Sequence, residues 1–303
     1  MVRMGKEASM FAAWVSLISN VLLTIIKIVV GVLFNSQVLV ADGVHNAGDV
    51  IASFASLSSM RISNQPADED HPYGHGKAEV VASGIVAMIL ALAAIMIGFK
   101  SVEVLLKPAA EAHIIALIAA FVSLVWKQAL YIYTIRLGKE HNSKGLLAAA
   151  YDHLADVYAS LAAVIGIGLA LLGQKYNIPF TAYGDPVSGI VVALLVMKLA
   201  YGMGRESVEV LMEKNVDSEK LKQYEELVKS VPQVKRIDRL RAREHGHYIM
   251  VDVRVGIPGN FTVQEGHDIS RQIKKSIMGA HKDVYEVLVH LNPWYETENH
   301  DNQ

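Results

Sequence analysis

The 303-residue chain is 52% hydrophobic and 19% charged, against ~25% charged in an ordinary soluble domain, and its mean hydropathy is +0.30. A formal charge of −2 leaves no basic surplus for neutralising phosphates, which removes nucleic acid as a partner. With no cysteine, disulfide frameworks, CxxC redox pairs and thiolate metal sites are excluded, whereas 12 histidines and 30 acidic residues leave nitrogen and oxygen donors.

The opening stretch, Met1 to Met10, carries Arg3, Lys6 and Glu7 and leads into an apolar run longer than a signal-peptide core, with no small-residue cleavage pattern. The N-terminus is therefore expected to be retained. Six mostly apolar stretches follow, each long enough to cross ~30 Å of hydrocarbon as a helix. They lie at about 8–34, 37–61, 78–106, 111–136, 145–173 and 179–202. Connectors such as Asn35-Ser36, Asn64-Gln65-Pro66, Lys107-Pro108 and Gly173-Gln174 have turn or helix-stop chemistry, so neighbouring spans should run antiparallel in a six-helix transmembrane bundle. Arg3, Lys6, Arg61, Lys77, Arg136, Lys139, Lys144, Arg205 and Lys214 fall on one side of that bundle, against mainly Lys107 and Lys175 on the other. This asymmetry predicts a multi-pass protein of the cell membrane with both termini in the cytoplasm.

Past Gly204 charges become dense and no run is long enough to span, which divides the chain into a transmembrane domain, 1–204, and a soluble domain, 205–303. Asp217 to Val231 has helical spacing, with Leu221, Tyr224, Leu227 and Val228 on one face. Lys235 to Glu244 and His247 to Ile257 read as strands meeting at Glu244-His245-Gly246, Val263 to Met278 as a helix, and Val284 to Leu291 as a last strand. The order αββαβ predicts a small two-layer α+β domain.

The polar residues inside the apolar spans carry the most information, because an ionisable group at membrane depth costs ~2.5–3.5 kcal/mol even on the lenient insertion scale. His45 and Asp49 in the second span, and Asp152 and Asp156 in the fifth, are i,i+4 pairs, so each pair lies on one helical face. Brought together, three carboxylates and one imidazole are the donor set of a tetrahedral divalent ion such as Zn²⁺. The plainer alternative is that these groups cap or tie helices through hydrogen bonds. Asp42, a turn before His45, and His153, about 100° from Asp152, are weaker candidates. Asn46 suits a supporting role. Lys27 and Lys127 suit snorkelling or pairing with a carboxylate.

In the connector after the second span, Asp68, His71 and His75 lie within eight positions, and the i,i+4 histidines would chelate one ion if the loop turned helical there. His245 and His247 flank a hairpin glycine and read as solvated; His281 and His300 read as surface residues.

Six spans, the two i,i+4 pairs, the connector from Pro66 to Glu79 and the αββαβ tail together resemble the cation diffusion facilitator family over nearly the whole chain. The resemblance implies a homodimeric antiporter that exports divalent transition metal in exchange for protons, with His45, Asp49, Asp152 and Asp156 as the transport site and the tail as a metallochaperone-like regulatory and dimerisation domain. It implies a peripheral site at Asp68, His71 and His75, an inter-subunit ion pair for Lys77, and a regulatory metal site in the tail, where His267 and His290 match ligand positions. Asp252 stands where a ligand histidine is common in the family and Asn292 where a carboxylate is. The transport motif differs from the best-known bacterial zinc members, which carry the histidine in the fifth span; an aspartate pair there also resembles manganese exporters. The expected substrate is Zn²⁺, with Mn²⁺ next and Fe²⁺, Co²⁺ or Cd²⁺ further candidates. Metal requires neutral imidazole and ionised carboxylates, so its arrival expels protons, and His45, with a reference pKa near 6.5, is the expected main exchanger. A metalloenzyme would need a motif such as HExxH, which is absent. The alternative is a membrane metal receptor that signals through its tail without transport.

Overall fold

The computed structural model describes residues 2–107, 111–140 and 144–295. Pro108 and His300 lie outside the described residues, as do the side chains of Arg3, Lys6, Glu7 and Lys144. Six long helices come first: α1 (Val2–Leu33), α2 (Gln37–Ser63), α3 (Lys77–Leu105), α4 (Ile114–Glu140), α5 (Lys144–Tyr176) and α6 (Gly184–Leu211). Among the described residues, five stretches are long and apolar enough to cross a membrane, in α1, α3, α4, α5 and α6. At 27 residues α2 spans roughly 40 Å. It is the least apolar of the six because it carries Asp42, His45, Asn46, Asp49 and Arg61.

The helix ends follow from local chemistry. Asn35, Asn177 and Glu213 sit at positive φ just past α1, α5 and α6, and each following amide closes a Schellman turn: Ser36 N to Gly31 O at 2.9 Å, Ile178 N to Gly173 O at 2.9 Å and Lys214 N to Glu209 O at 3.0 Å. Thus α5 runs through Gly173-Gln174 and stops at Asn177, and α6 continues beyond Arg205. The start of α2 is capped from a distance. Asp185 of α6 accepts hydrogen bonds from the Ser36 hydroxyl, from Gln37 N at 2.6 Å and from Val38 N at 3.1 Å.

Contacts divide the chain into two compact units, Met1–Leu57 with Ser83–Gly204, and Ser58–Ala82 with Arg205–Gln303. The first has an interior rich in small residues, including Ala41, Ala94, Ala120, Ala163 and Ala193, around Leu39, Leu90, Ile167, Val192 and Val196. Small side chains let helices approach closely, which replaces the hydrophobic drive that lipid removes. At Gly166 of α5, an added Cβ would lie 2.4 Å from Ser188 Oγ of α6. Phe54, Met96, Phe99 and Leu194 point outward and exposed, as lipid-facing residues do.

In the second unit α7 (Ser218–Lys229) and α8 (Val263–Ala280) cover one face of a sheet made of β1 (Arg236–His245), β2 (Tyr248–Pro258) and β3 (Val284–Trp294). The strand order is β1-β2-β3, with β1 antiparallel and β3 parallel to β2. Ile249, Val251, Val253, Val255 and Ile257 alternate along β2 and bury against Ile269, Ile273 and Ile277 of α8. Asp217 caps α7, accepting from Lys220 N at 2.8 Å, and Thr262 and Glu265 form a capping box at α8. The five elements match the αββαβ order expected from the sequence.

Candidate metal site

His45 and Asp49 of α2 face Asp156 of α5, and one donor atom from each lies within 4.8 Å of the others. His45 Nε2 is 3.1 Å from Asp156 Oδ1. The i,i+4 spacing in α2 puts both of its donors on the side turned to α5, as the pattern predicts. Asp152 is exposed and stands outside that cluster, yet it lines the same cavity of about 350 Å³, with His45, Asp49, His153 and Asp156. The structure therefore gathers three of the four expected residues tightly and leaves the fourth in the lining of the same cavity.

Two buried lysines are paired around this cluster. Lys127 of α4, fully buried, donates to Asp156 Oδ2 at 2.5 Å and to Asn20 Oδ1 of α1 at 2.7 Å. Lys27 of α1 is 2.7 Å from Asp42 Oδ2 and donates to Ser160 Oγ at 3.1 Å, while Ser160 donates to Asp42 at 3.0 Å. Asp42 is thus held by an ammonium and a hydroxyl. Asn46 is fully buried and neither end of its amide has a hydrogen-bond partner among the described residues.

His153 corrects the helical-wheel reading. It is buried and lines the cavity, its Nε2 is 3.1 Å from Ser16 Oγ, and its Nδ1 is 3.9 Å from Asp156 Oδ2. Its i,i+3 spacing to Asp156 was the signal for this placement. Asn20 was missed altogether; it lies seven residues before Lys27, two turns away on the same face of α1.

A second cluster lies in the connector. Asp68, His71 and His75 offer donors within 4.8 Å of one another. The segment is not helical; turns bring the rings together. Gly74, at φ +83°, donates to His71 O at 2.9 Å, and the two imidazole centroids are 4.4 Å apart. The His71 backbone N–H, 2.6 Å from Asp68 Oδ1, holds that carboxyl below the usual range, helped by both imidazoles. The connector seats on the β1–β2 hairpin of its own unit. Tyr248 Oη donates to Tyr73 O at 2.6 Å, and Ser63 Oγ is 2.9 Å from His247 Nδ1. Gly246, at φ +72°, comes so near that an added Cβ would lie 2.0 Å from Gly76 O.

The polar residues beside this hairpin find partners within the chain. His245 is half-buried rather than fully solvated, stacked 5.2 Å from Tyr248, and burial together with Lys77 pushes its pKa down. His247 stays exposed but contacts Ser63. Lys77 pairs with Glu213 of its own chain at 2.7 Å. Arg243 also reaches Glu213, at 2.9 Å, and despite partial burial the two cations keep that carboxyl below its usual range.

The tail residues are not brought together within one chain. Asp252 and His290 lie on the sheet face away from the helices, where Arg243 Nη1 takes Asp252 at 2.8 Å and Asn292 Oδ1 is 3.0 Å from His290 Nε2. His267 stands exposed on α8, in the other layer. His281 packs edge-on against Tyr224 at 4.8 Å.

Long apolar helices with a cation-type donor cluster between two of the six, followed by a small α+β unit, define a polytopic membrane protein built to handle cations. The cation efflux transmembrane domain matches residues 13–212, and the cytoplasmic domain of cation efflux proteins matches residues 216–294. The chain belongs to the cation efflux, or cation diffusion facilitator, family and is a divalent metal cation efflux transporter. It is 43% identical to the manganese efflux system protein MneP of Bacillus subtilis, over 96% of this chain and 98% of that one. Identity to MneS of the same organism, also a manganese efflux system protein, is 34% over 93% and 94% of the two chains. The magnetosome protein MamB of Paramagnetospirillum magneticum is 28% identical over 92% and 93%. Among solved structures, a cadmium form of a MamM C-terminal domain variant aligns with 26% of this chain and 98% of its own, at 22% identity and a TM-score of 0.25.

Proposed function

We propose that the protein exports Mn²⁺ from the cytoplasm in exchange for protons, working as a homodimer in the cell membrane with both termini inside. The observation that carries this is the convergence of His45, Asp49 and Asp156 within 4.8 Å, in a cavity that Asp152 also lines. A set dominated by carboxylate oxygens suits a hard ion such as Mn²⁺, and the manganese efflux names of MneP and MneS support the same choice. Zn²⁺, the ion first expected from the sequence, is the second reading, and the imidazole of His45 is what favours it.

Proton exchange follows from linkage. Metal enters against ionised carboxylates and neutral imidazole, and protons arriving from the opposite face displace it. His45 is the proposed main exchanger. The Asp68, His71 and His75 cluster is the proposed peripheral site, and Asp252, His267 and His290 form a regulatory site only where a second chain supplies partners.

The test is flux in sealed vesicles. Purified protein should carry Mn²⁺ with protons moving the other way, and Asp49→Ala and Asp152→Ala should each abolish both movements. His45→Asn should keep Mn²⁺ flux and lose Zn²⁺ flux. Metal bound without flux would replace the exporter with a receptor that reports metal through its tail.

A further inference from the structure

Among the described residues, two fully buried lysines lie in the bundle, and the surroundings of one of them explain it. Lys27 faces Asp42, which stands outside the ligand cluster, so the pair needs no further role. Lys127 instead sits on a ligand. Its Nζ is 2.5 Å from Asp156 Oδ2, while the other oxygen of the same carboxylate, Oδ1, faces His45 Nε2 at 3.1 Å. The two oxygens of Asp156 are therefore divided, one to Lys127 and one to the donor cluster. Asn20 of α1 fixes the ammonium from the other side, at 2.7 Å.

This division has two physical consequences. A carboxylate with one oxygen occupied offers an incoming ion a single oxygen, in an orientation set by the lysine. A positive charge one carboxylate away also repels the ion. Without it, clustered aspartates at low dielectric would hold a divalent ion too firmly to let it go, and a site that passes ions onward must bind weakly enough to release them.

We propose that Lys127 is the affinity-setting residue of the transport site: a fixed ammonium that holds Asp156 to one-oxygen ligation and keeps the metal weakly enough bound to leave. The proposal rests on the reading of His45, Asp49 and Asp156 as the transport ligands. Lys127 acts through Asp156 and is a positioning residue.

The test uses the full-length protein and Mn²⁺ alone as probe, with equilibrium binding in detergent and initial rates in vesicles. Lys127→Met keeps the length and removes the charge. It should tighten Mn²⁺ binding by at least about tenfold. The KM and kcat for transport should fall together, because release becomes slow. Lys127→Arg, which keeps the charge, should stay within about threefold of the natural affinity. A lysine that merely props the helices apart would give the opposite sign for Lys127→Met, with weaker binding and an unchanged KM-to-kcat relation. Unchanged or weaker binding in a folded Lys127→Met protein overturns the proposal. If that variant does not fold, Asn20→Asp serves instead: a second carboxylate draws the ammonium off Asp156, and binding should tighten severalfold, with no tightening counting against the proposal. Asp49→Ala separates the two layers of the argument. If it leaves Mn²⁺ binding intact, the transport-site reading itself falls, and Lys127 with it. If it abolishes binding while Lys127→Met fails to tighten it, only the role of Lys127 falls.

Discussion

Replacing Lys27 by methionine removes an ammonium that lies 2.7 Å from Asp42 with both side chains wholly out of solvent. Truncating one member of a buried pair costs about 3–5 kcal/mol, mostly because the survivor keeps its charge without a partner. Here Ser160 still donates to Asp42 Oδ2 at 3.0 Å, but Asp42 Oδ1 has no partner among the described residues, so the loss should fall near the lower figure, about 3 kcal/mol. At roughly 2 °C per kcal/mol for a chain of this size, the melting midpoint in detergent should drop by about 6 °C. Asp42→Leu alone should cost a similar amount. The combined Lys27→Met/Asp42→Leu protein should recover to within about 1 kcal/mol of the natural one, because no unpaired charge remains. Thermal unfolding followed by tryptophan fluorescence measures all three. A double variant as unstable as the sum of the singles would refute the reasoning, since the charges would then be contributing independently of each other.

Asp185→Ala removes the acceptor for Gln37 N and Val38 N and should cost about 1–2 kcal/mol, read as faster amide exchange at those two residues with little change elsewhere in α2. Gly246→Ala imposes a side chain at φ +72° against Gly76 O; a cost of roughly 1–3 kcal/mol should unseat the connector, visible as proteolytic cleavage between residues 66 and 76. Acid should loosen the second unit. The His71 N–H draws the Asp68 carboxyl down, the Thr262 N–H draws down Glu265, and Lys220 draws down Asp283. Carboxylates lowered by folding stabilise above their unfolded pKa, near 4, and lose that contribution as pH falls through their lower folded values. Urea midpoints for the second unit should therefore decline below about pH 4, and Asp283→Asn should flatten part of that decline; an unchanged slope would show the Lys220 pair to be inconsequential.

Much of the fold was legible because its signals are strong and local. Long apolar runs and alternating strands fix element type, and α1 ends at the expected Asn35-Ser36 connector, whereas α6 runs past the expected 202 to Leu211. The end of α5 was misplaced at Gly173-Gln174 because the left-handed cap fell to Asn177, an equally capable residue a few positions on. In the site, the i,i+4 rule put His45 and Asp49 on one face of α2, and that face meets Asp156 of α5. It could not foresee that Asp152 would sit outside the tight cluster, nor that His153 would enter the cavity, because helix rotation and cavity shape depend on packing among six helices. The partners of Lys27 and Lys127 were equally hidden: ion pairs between α1 and α2 and between α4 and α5 leave no fixed spacing. In the tail, separation of Asp252 and His290 from His267 follows from the two layers, which strand alternation and helix faces already imply.

The grouping of Ser58–Ala82 with Arg205–Gln303 changes what a truncation means. Cutting the chain at Arg205 does not yield an intact bundle minus an appendage. It strips the α2–α3 link of Tyr248, His247 and Glu213, leaving Tyr73, Ser63 and Lys77 without the groups they contact. Any loss of transport in such a shortened protein would mix two injuries, the missing tail and a collapsed link, and only point changes on the hairpin can tell them apart.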